Sequence, residues 1–150
     1  RSKETSGQVS EAWVAELCVA IGRFVATIQR WGYFPRDLHP GNLLYEASPS
    51  GGFNLLLIDY ESTRRRHPFR KSVAHLNLGH ICSYLHDLSA EVPERLATAY
   101  LDNWPYRRPT DLAAKVRRVA HTHLTRRRRR IDNAFDKIAK ARKDVKQVAP

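Results

Sequence analysis

Arg36-Asp37-Leu38-His39-Pro40-Gly41-Asn42 sets a carboxylate, Asp37, five residues ahead of a carboxamide, Asn42. Pro40 fixes φ and Gly41 relaxes it, so the backbone turns between the two groups. Beyond the turn, Leu43-Leu44-Tyr45 reads as a strand, Ser48-Pro49-Ser50-Gly51-Gly52 as a loop, and Phe53 to Ile58 as a second strand. That second run ends on another carboxylate, in Leu56-Leu57-Ile58-Asp59-Tyr60-Glu61. A hairpin of this length returns Asp59 to the neighbourhood of Asn42. An Asp–Asn pair at this spacing is commonplace alone; the strand-loop-strand after it gives the pair its meaning.

The three oxygen-bearing side chains form a set with a recognisable chemistry. Phosphoryl transfer needs one carboxylate to orient and deprotonate an acceptor hydroxyl, and hard oxygens to hold magnesium on a polyphosphate. Asp37 has the first place in this set, while Asn42 and Asp59 have the second.

Upstream, Trp13, Leu17, Ile21, Phe24, Ile28 and Trp31 recur at spacings of four, four, three, four and three. That is the period of one helix with a buried stripe, started near Ser10-Glu11 and stopped by Gly32. The tryptophans at its ends are expected in the core, and the helix is expected to deliver the 36–42 loop. Downstream, Val73, Leu76, Leu78, Ile81, Cys82 and Leu85 mark a second helix, in which Gly79 allows close packing. Ser89 and Pro93 open a third, with Leu96, Ala97, Tyr100, Leu101 and Trp104 inward. Thr110-Asp111 is expected to cap a fourth, with Leu112, Val116, Val119 and Leu124 as its apolar face.

Length and composition bound the rest. A chain of 150 residues is one domain with room for a core. Its formal net charge of +11 calls for an anionic partner or surface. The two cysteines, Cys18 and Cys82, lie in apolar helical patterns, which favours buried thiols over a disulfide framework. No Cys/His cluster suggests zinc, no apolar run approaches a membrane span of roughly 20 residues, and no signal peptide heads the chain. Arg126 to Arg130 is a run of five arginines, followed by Ile131, Phe135 and Ile138 at helical spacing. Two readings stand side by side for it: a solvated face, or a basic amphipathic helix lying on an acidic membrane or glycolipid surface.

The 36–42 stretch resembles the catalytic loop H-R-D-L-x-x-x-N of the protein-kinase-like superfamily, with Pro35 in the histidine position. Aminoglycoside phosphotransferase-like kinases also carry "DLHPGN". The segment IDYESTRRRHPFRKSVAHLNLGHI looks like the lipopolysaccharide kinase family, which phosphorylates 3-deoxy-D-manno-octulosonic acid or heptose in the lipid A–core. The resemblance covers roughly residues 10 to 104. It implies an α+β, mainly helical fold: a kinase-like C-terminal lobe whose short β-hairpin carries the metal-binding residues. Outside that span, the polar residues 1–9 are expected to be flexible and 105–150 to form a basic helical tail. It implies ATP and Mg2+ as cofactors, Asp37 as the base, His39 near the transferred phosphate, and Asn42 and Asp59 on the metal. Arg64, Arg65, Arg66 and Arg70 are then expected to meet an anionic glycolipid or phosphorylated-sugar acceptor. A turn residue bonded to its own backbone is the plainer reading of His39. Asn77 falls near a position where kinase relatives often keep an aspartate that anchors the catalytic loop.

Other features narrow the expectation. No Ala-Pro-Glu element follows Asp59, and the dozen residues to the next helix leave no room for a peptide-binding segment, which disfavours a protein acceptor. Only 36 residues precede Asp37, without a Gly-rich loop or phosphate-pairing lysine strand, so this chain alone is expected to bind Mg-ATP weakly or not at all. The place implied is cytoplasmic, peripheral on the inner face of the membrane. The alternatives are a soluble small-molecule kinase, a pseudokinase, or a basic nucleic-acid- or membrane-binding module. Nucleic acid is disfavoured because the aromatics sit on apolar stripes rather than among the arginines.

Overall fold

In the computed structural model, residues 9–48, 52–65, 74–106 and 109–148 are described, with side chains in the last stretch as far as Lys137. Ser10 ends the lead-in: its hydroxyl accepts the Trp13 N–H at 3.2 Å and starts helix α1 (Glu11–Arg30). The buried stripe of α1 is Val14, Leu17, Cys18, Ile21, Val25, Ala26 and Ile28. Trp13 lies only partly buried beside it, edge-on to Phe53 at 5.6 Å. Trp31 is not core: it stands past the last helical residue, as the C-cap, and is 63 % exposed. Gly32, at φ +83°, makes the left-handed turn out of the helix.

Four short strands follow. β1 (Tyr33–Phe34) pairs antiparallel with β4 (Arg64–Arg65), and β2 (Leu43–Ala47) pairs antiparallel with β3 (Phe53–Leu57). A 3₁₀ turn, Pro40–Asn42, leads directly into β2. In the hairpin Leu43 faces Leu57 and Tyr45 faces Leu55, while Leu44 faces Leu56 on the other side.

Three more helices complete the chain: α2 (Ala74–Leu85), α3 (Val92–Asn103) and α4 (Leu112–Val148). Leu78, Ile81, Cys82 and Leu85 of α2 are buried as expected, but Leu76 is 49 % exposed. At about 100° per residue, Leu76 lies some 200° around the helix from Leu78, on the opposite side. In α3 the inward residues Leu96, Ala97, Tyr100 and the following Trp104 are buried. Asp111, at φ +54°, precedes α4, and its carbonyl accepts the Lys115 N–H. Thr110 receives the Lys115 Nζ on its carbonyl. Leu112, Val116 and Ala120 bury the start of α4 in the common core, whereas Arg126 to Lys137 is exposed throughout.

The result is an α+β fold, mainly helical, with two small two-stranded sheets. α1 packs on α3, and α2 packs on α4. Two glycines set these contacts. A Cβ on Gly22 would come within 2.6 Å of Ala99 Cβ and 2.8 Å of the Tyr100 nitrogen; one on Gly79 would meet Val119 Cβ at 2.5 Å. Gly79 therefore allows close packing, and it brings the next residue, His80, against α4. Cys18 and Cys82 are free buried thiols, each pushed up to about 11 chiefly by desolvation. No helix among the described residues is long and apolar enough to cross a membrane.

Candidate functional site

The 36–42 loop is built around Leu38, whose side chain is fully buried. His39 is extended (φ −135°, ψ 165°), so the residues on either side of Leu38 point the other way, and Asp37 and His39 share one outward face. Three hydrogen bonds close the loop on itself. Asn42 Nδ2 donates to the Asp37 carbonyl at 2.9 Å, the Asn42 N–H to the His39 carbonyl at 2.9 Å, and the Gly41 N–H to His39 Nδ1 at 3.1 Å.

The last of these settles the tautomer of neutral His39. Its Nδ1 is an acceptor, so the proton sits on Nε2, which stands 3.8 Å from Asp37 Oδ2. His39 thus bonds its own turn and faces the carboxylate as well. Gly41 has no spare room: a Cβ there would lie 2.9 Å from His39 Cε1.

The loop is held from beneath by a chain of buried polar groups. Asn77 Nδ2 donates to the Pro35 carbonyl at 2.7 Å, Gln29 Nε2 donates to Asn77 Oδ1 at 2.8 Å, and the Tyr100 hydroxyl donates to Gln29 Oε1 at 3.1 Å. A carbonyl can only accept, so Pro35 fixes the direction of every bond in the chain. It also explains the amide at position 77: an aspartate would present a second acceptor to that carbonyl. α1, α2 and α3 are tied in this way to the residue two before Asp37.

The hairpin brings the second carboxylate back. Ile58 N–H donates to the Asn42 carbonyl at 2.9 Å, which sets Asp59 one residue from a direct bond to Asn42. Asp59 is exposed and left-handed, at φ 56°, an uncommon state for a residue other than glycine. Strained backbone of this kind collects at functional sites. The Asn42 amide nitrogen donates to the Asp37 carbonyl, and the residue is buried.

Among the described residues no His/Cys/Asp/Glu group forms an all-protein metal cage. Arg64 lies across the β1–β4 pair from Phe34, three residues before Asp37, and Arg65 lies across from Tyr33; both are exposed. Arg66 and Arg70 lie outside the described residues. A cavity of about 730 Å³ between α1 and the hairpin, lined by Val19, Arg23, Thr27 and Asn54, includes none of the loop residues.

The flank of Asp37 holds residues that the apolar patterns did not single out. His80 Nδ1 is 3.6 Å from Asp37 Oδ1. Its ring stacks on His123 of α4 at 4.3 Å and 18°. Four residues on from each, Arg127 lies over the ring of Tyr84 at 5.0 Å. Tyr84 in turn lies beside the His39 ring at 5.8 Å. The signal in the sequence was the repeated i, i+4 spacing, His80 with Tyr84 and His123 with Arg127, which places each pair on one helical face.

Burial lowers the affinity of His80 for a proton, as do His123 and His39 beside it, against the opposing pull of Asp37. His123 is lowered by burial and by Arg126, and His75 by burial and Lys115. In the unfolded chain these imidazoles take a proton near pH 6.5, while the folded ones resist it. Between the two values the unfolded chain binds more protons, so stability falls as pH drops below about 6.5 and levels off once the folded imidazoles are protonated. Urea midpoints between pH 8 and pH 5 check this. A His80→Gln/His123→Gln variant should lose much of the dependence, and an unchanged slope would refute the assignment.

No protein-family model matches the chain, and no curated protein or solved structure matches it.

Proposed function

We propose that the chain carries the catalytic lobe of an ATP- and magnesium-dependent phosphotransferase acting on a sugar hydroxyl of a lipopolysaccharide core or related glycolipid. The observation that carries this reading is the pinned loop. Asp37 is 59 % exposed, on a backbone fixed by Asn42 above and by the Asn77–Gln29–Tyr100 chain below. A carboxylate that is open to solvent yet fixed in place suits a general base for an incoming hydroxyl.

In this reading Asp37 takes the acceptor's proton, and His39 Nε2–H steadies the carboxylate or the transferred phosphate. Asn42 Oδ1 and the Asp59 carboxylate would hold magnesium, which when bound neutralises phosphate charge. Leu44 and Leu56, cross-strand neighbours that are 53 % and 62 % exposed, offer an apolar surface for the purine ring beside these donors. A mainly positive chain suits an acidic glycolipid and the membrane face that presents it.

The test is transfer of label from γ-labelled ATP to purified lipopolysaccharide core, using the protein as its own gene encodes it. Label on the glycolipid that requires magnesium is the expected result. Label on a soluble amino alcohol or aminoglycoside alone would move the assignment to the small-molecule kinases. Absence of transfer to any hydroxyl acceptor would overturn it.

A further inference from the structure

The arginine run of α4 is not uniform in what it touches. Arg127 rests on Tyr84, which lies against His39, while His123 one turn earlier stacks on His80 beside Asp37. Two helices far apart in sequence thus add two imidazoles, a phenol ring and a guanidinium to the loop's own His39 on one flank of the carboxylate. The flank is open, since Asp37, Tyr84, Arg126 and Arg127 are all exposed.

Its charge is also unbalanced. Among the described residues Asp37 is the one carboxylate that faces the imidazoles, and neither Arg126 nor Arg127 is paired with an acidic group. An exposed arginine normally gains nothing from a fixed position. Arg127 is held by a ring, with its charge unneutralised, next to the group read as the base. Held guanidinium with free donors is what recognises a carboxylate or phosphate. Burial makes His80 and His123 take a proton less readily than a free imidazole, so they offer hydrogen bonds to hydroxyls and compete less for Asp37 as cations.

Resting on the reading of Asp37 as base, we propose that the His80–Tyr84 face of α2 and the His123–Arg127 face of α4 form the acceptor site. It takes a polyhydroxy compound that bears a phosphate or carboxylate, with the anionic group on Arg127 and Arg126 and its hydroxyls on His123 and His80 beside Asp37. This adds an anion contact on α4 to the one expected from the 64–70 segment.

The test reads binding without ATP. The full chain is titrated with glucose 6-phosphate, with glucose, and with phosphatidylglycerol vesicles, while the imidazole resonances of His39, His80 and His123 are followed by NMR. Glucose 6-phosphate should shift His80 and His123 saturably, and should raise the pH at which both titrate, because a bound anion favours the imidazolium. Arg127→Gln should weaken this by about ten- to a hundred-fold, the loss expected for a charged hydrogen-bond partner. Replacing Arg128, Arg129 and Arg130 by glutamine together should leave it within about twofold, in line with charges left on a solvated face.

Three outcomes overturn the proposal: equal loss in both variants, an equal response to glucose, or a response to the vesicles alone, which would make α4 a membrane contact. Because the binding titration does not depend on turnover, the site and the catalytic reading fail separately: full turnover in Asp37→Asn, measured in its own assay, removes the base and leaves the site.

Discussion

Asp37→Asn is expected to lower turnover by about 10²- to 10⁴-fold while leaving ATP affinity unchanged, since the amide keeps the shape and removes the base. The neighbouring contacts support such a clean substitution. Asp37 is tied to the loop through its backbone carbonyl, and among the described residues its carboxylate stands 3.6 to 3.8 Å from two histidines rather than in tight hydrogen bonds. Asp59→Asn should behave differently. It removes a charged ligand from the metal position, so magnesium-dependent nucleotide binding should weaken together with turnover. Turnover and magnesium-dependent ATP affinity, measured on both variants of the protein as its gene encodes it, separate the two roles. Full turnover in Asp37→Asn would end the phosphotransferase assignment. Identical phenotypes for the two variants would end the division of labour between them.

Asn77→Leu is expected to destabilise the fold by about 2–6 kcal/mol. It strands the Pro35 carbonyl and the Gln29 amide, and each buried polar group left unpaired costs about 1–3 kcal/mol. Gln29 is fully buried, so water cannot easily take the missing place. For a chain of this size each kcal/mol corresponds to about 2–4 °C in Tm. Asn77→Asp is not the mild replacement it looks, because the carboxylate would face the Pro35 carbonyl at the position of a 2.7 Å donor. Thermal and urea denaturation measure both variants. A Leu variant within about 0.5 kcal/mol of the parent would show that the polar chain does not hold the loop.

Which parts of this were legible in the sequence follows from the range of the interactions. Helical stripes such as Leu17-Ile21-Ile28 and Leu96-Tyr100 depend on local periodicity, which marks α1 and α3 without reference to any tertiary contact. The Pro-Gly turn and the strand-loop-strand also depend on neighbours in the chain, and they gave the return of residue 58 to Asn42. Periodicity cannot fix the orientation of a stripe, since helix packing decides which residues face inward. Hence Leu76 and Trp31 are exposed, while Gln29 and Asn77 are buried. Those two amides are core residues only because α1, α2 and α3 bring two amides and a phenol together beneath the Pro35 carbonyl. The flank of Asp37 is likewise tertiary. His80 and His123 are 43 positions apart and meet only because Gly79 lets α2 approach α4 closely enough for their rings to stack. The sequence by itself determined the helices, the turn and the oxygen donors near it. Only the tertiary structure decided what surrounds Asp37, because that depends on side chains brought together across the core.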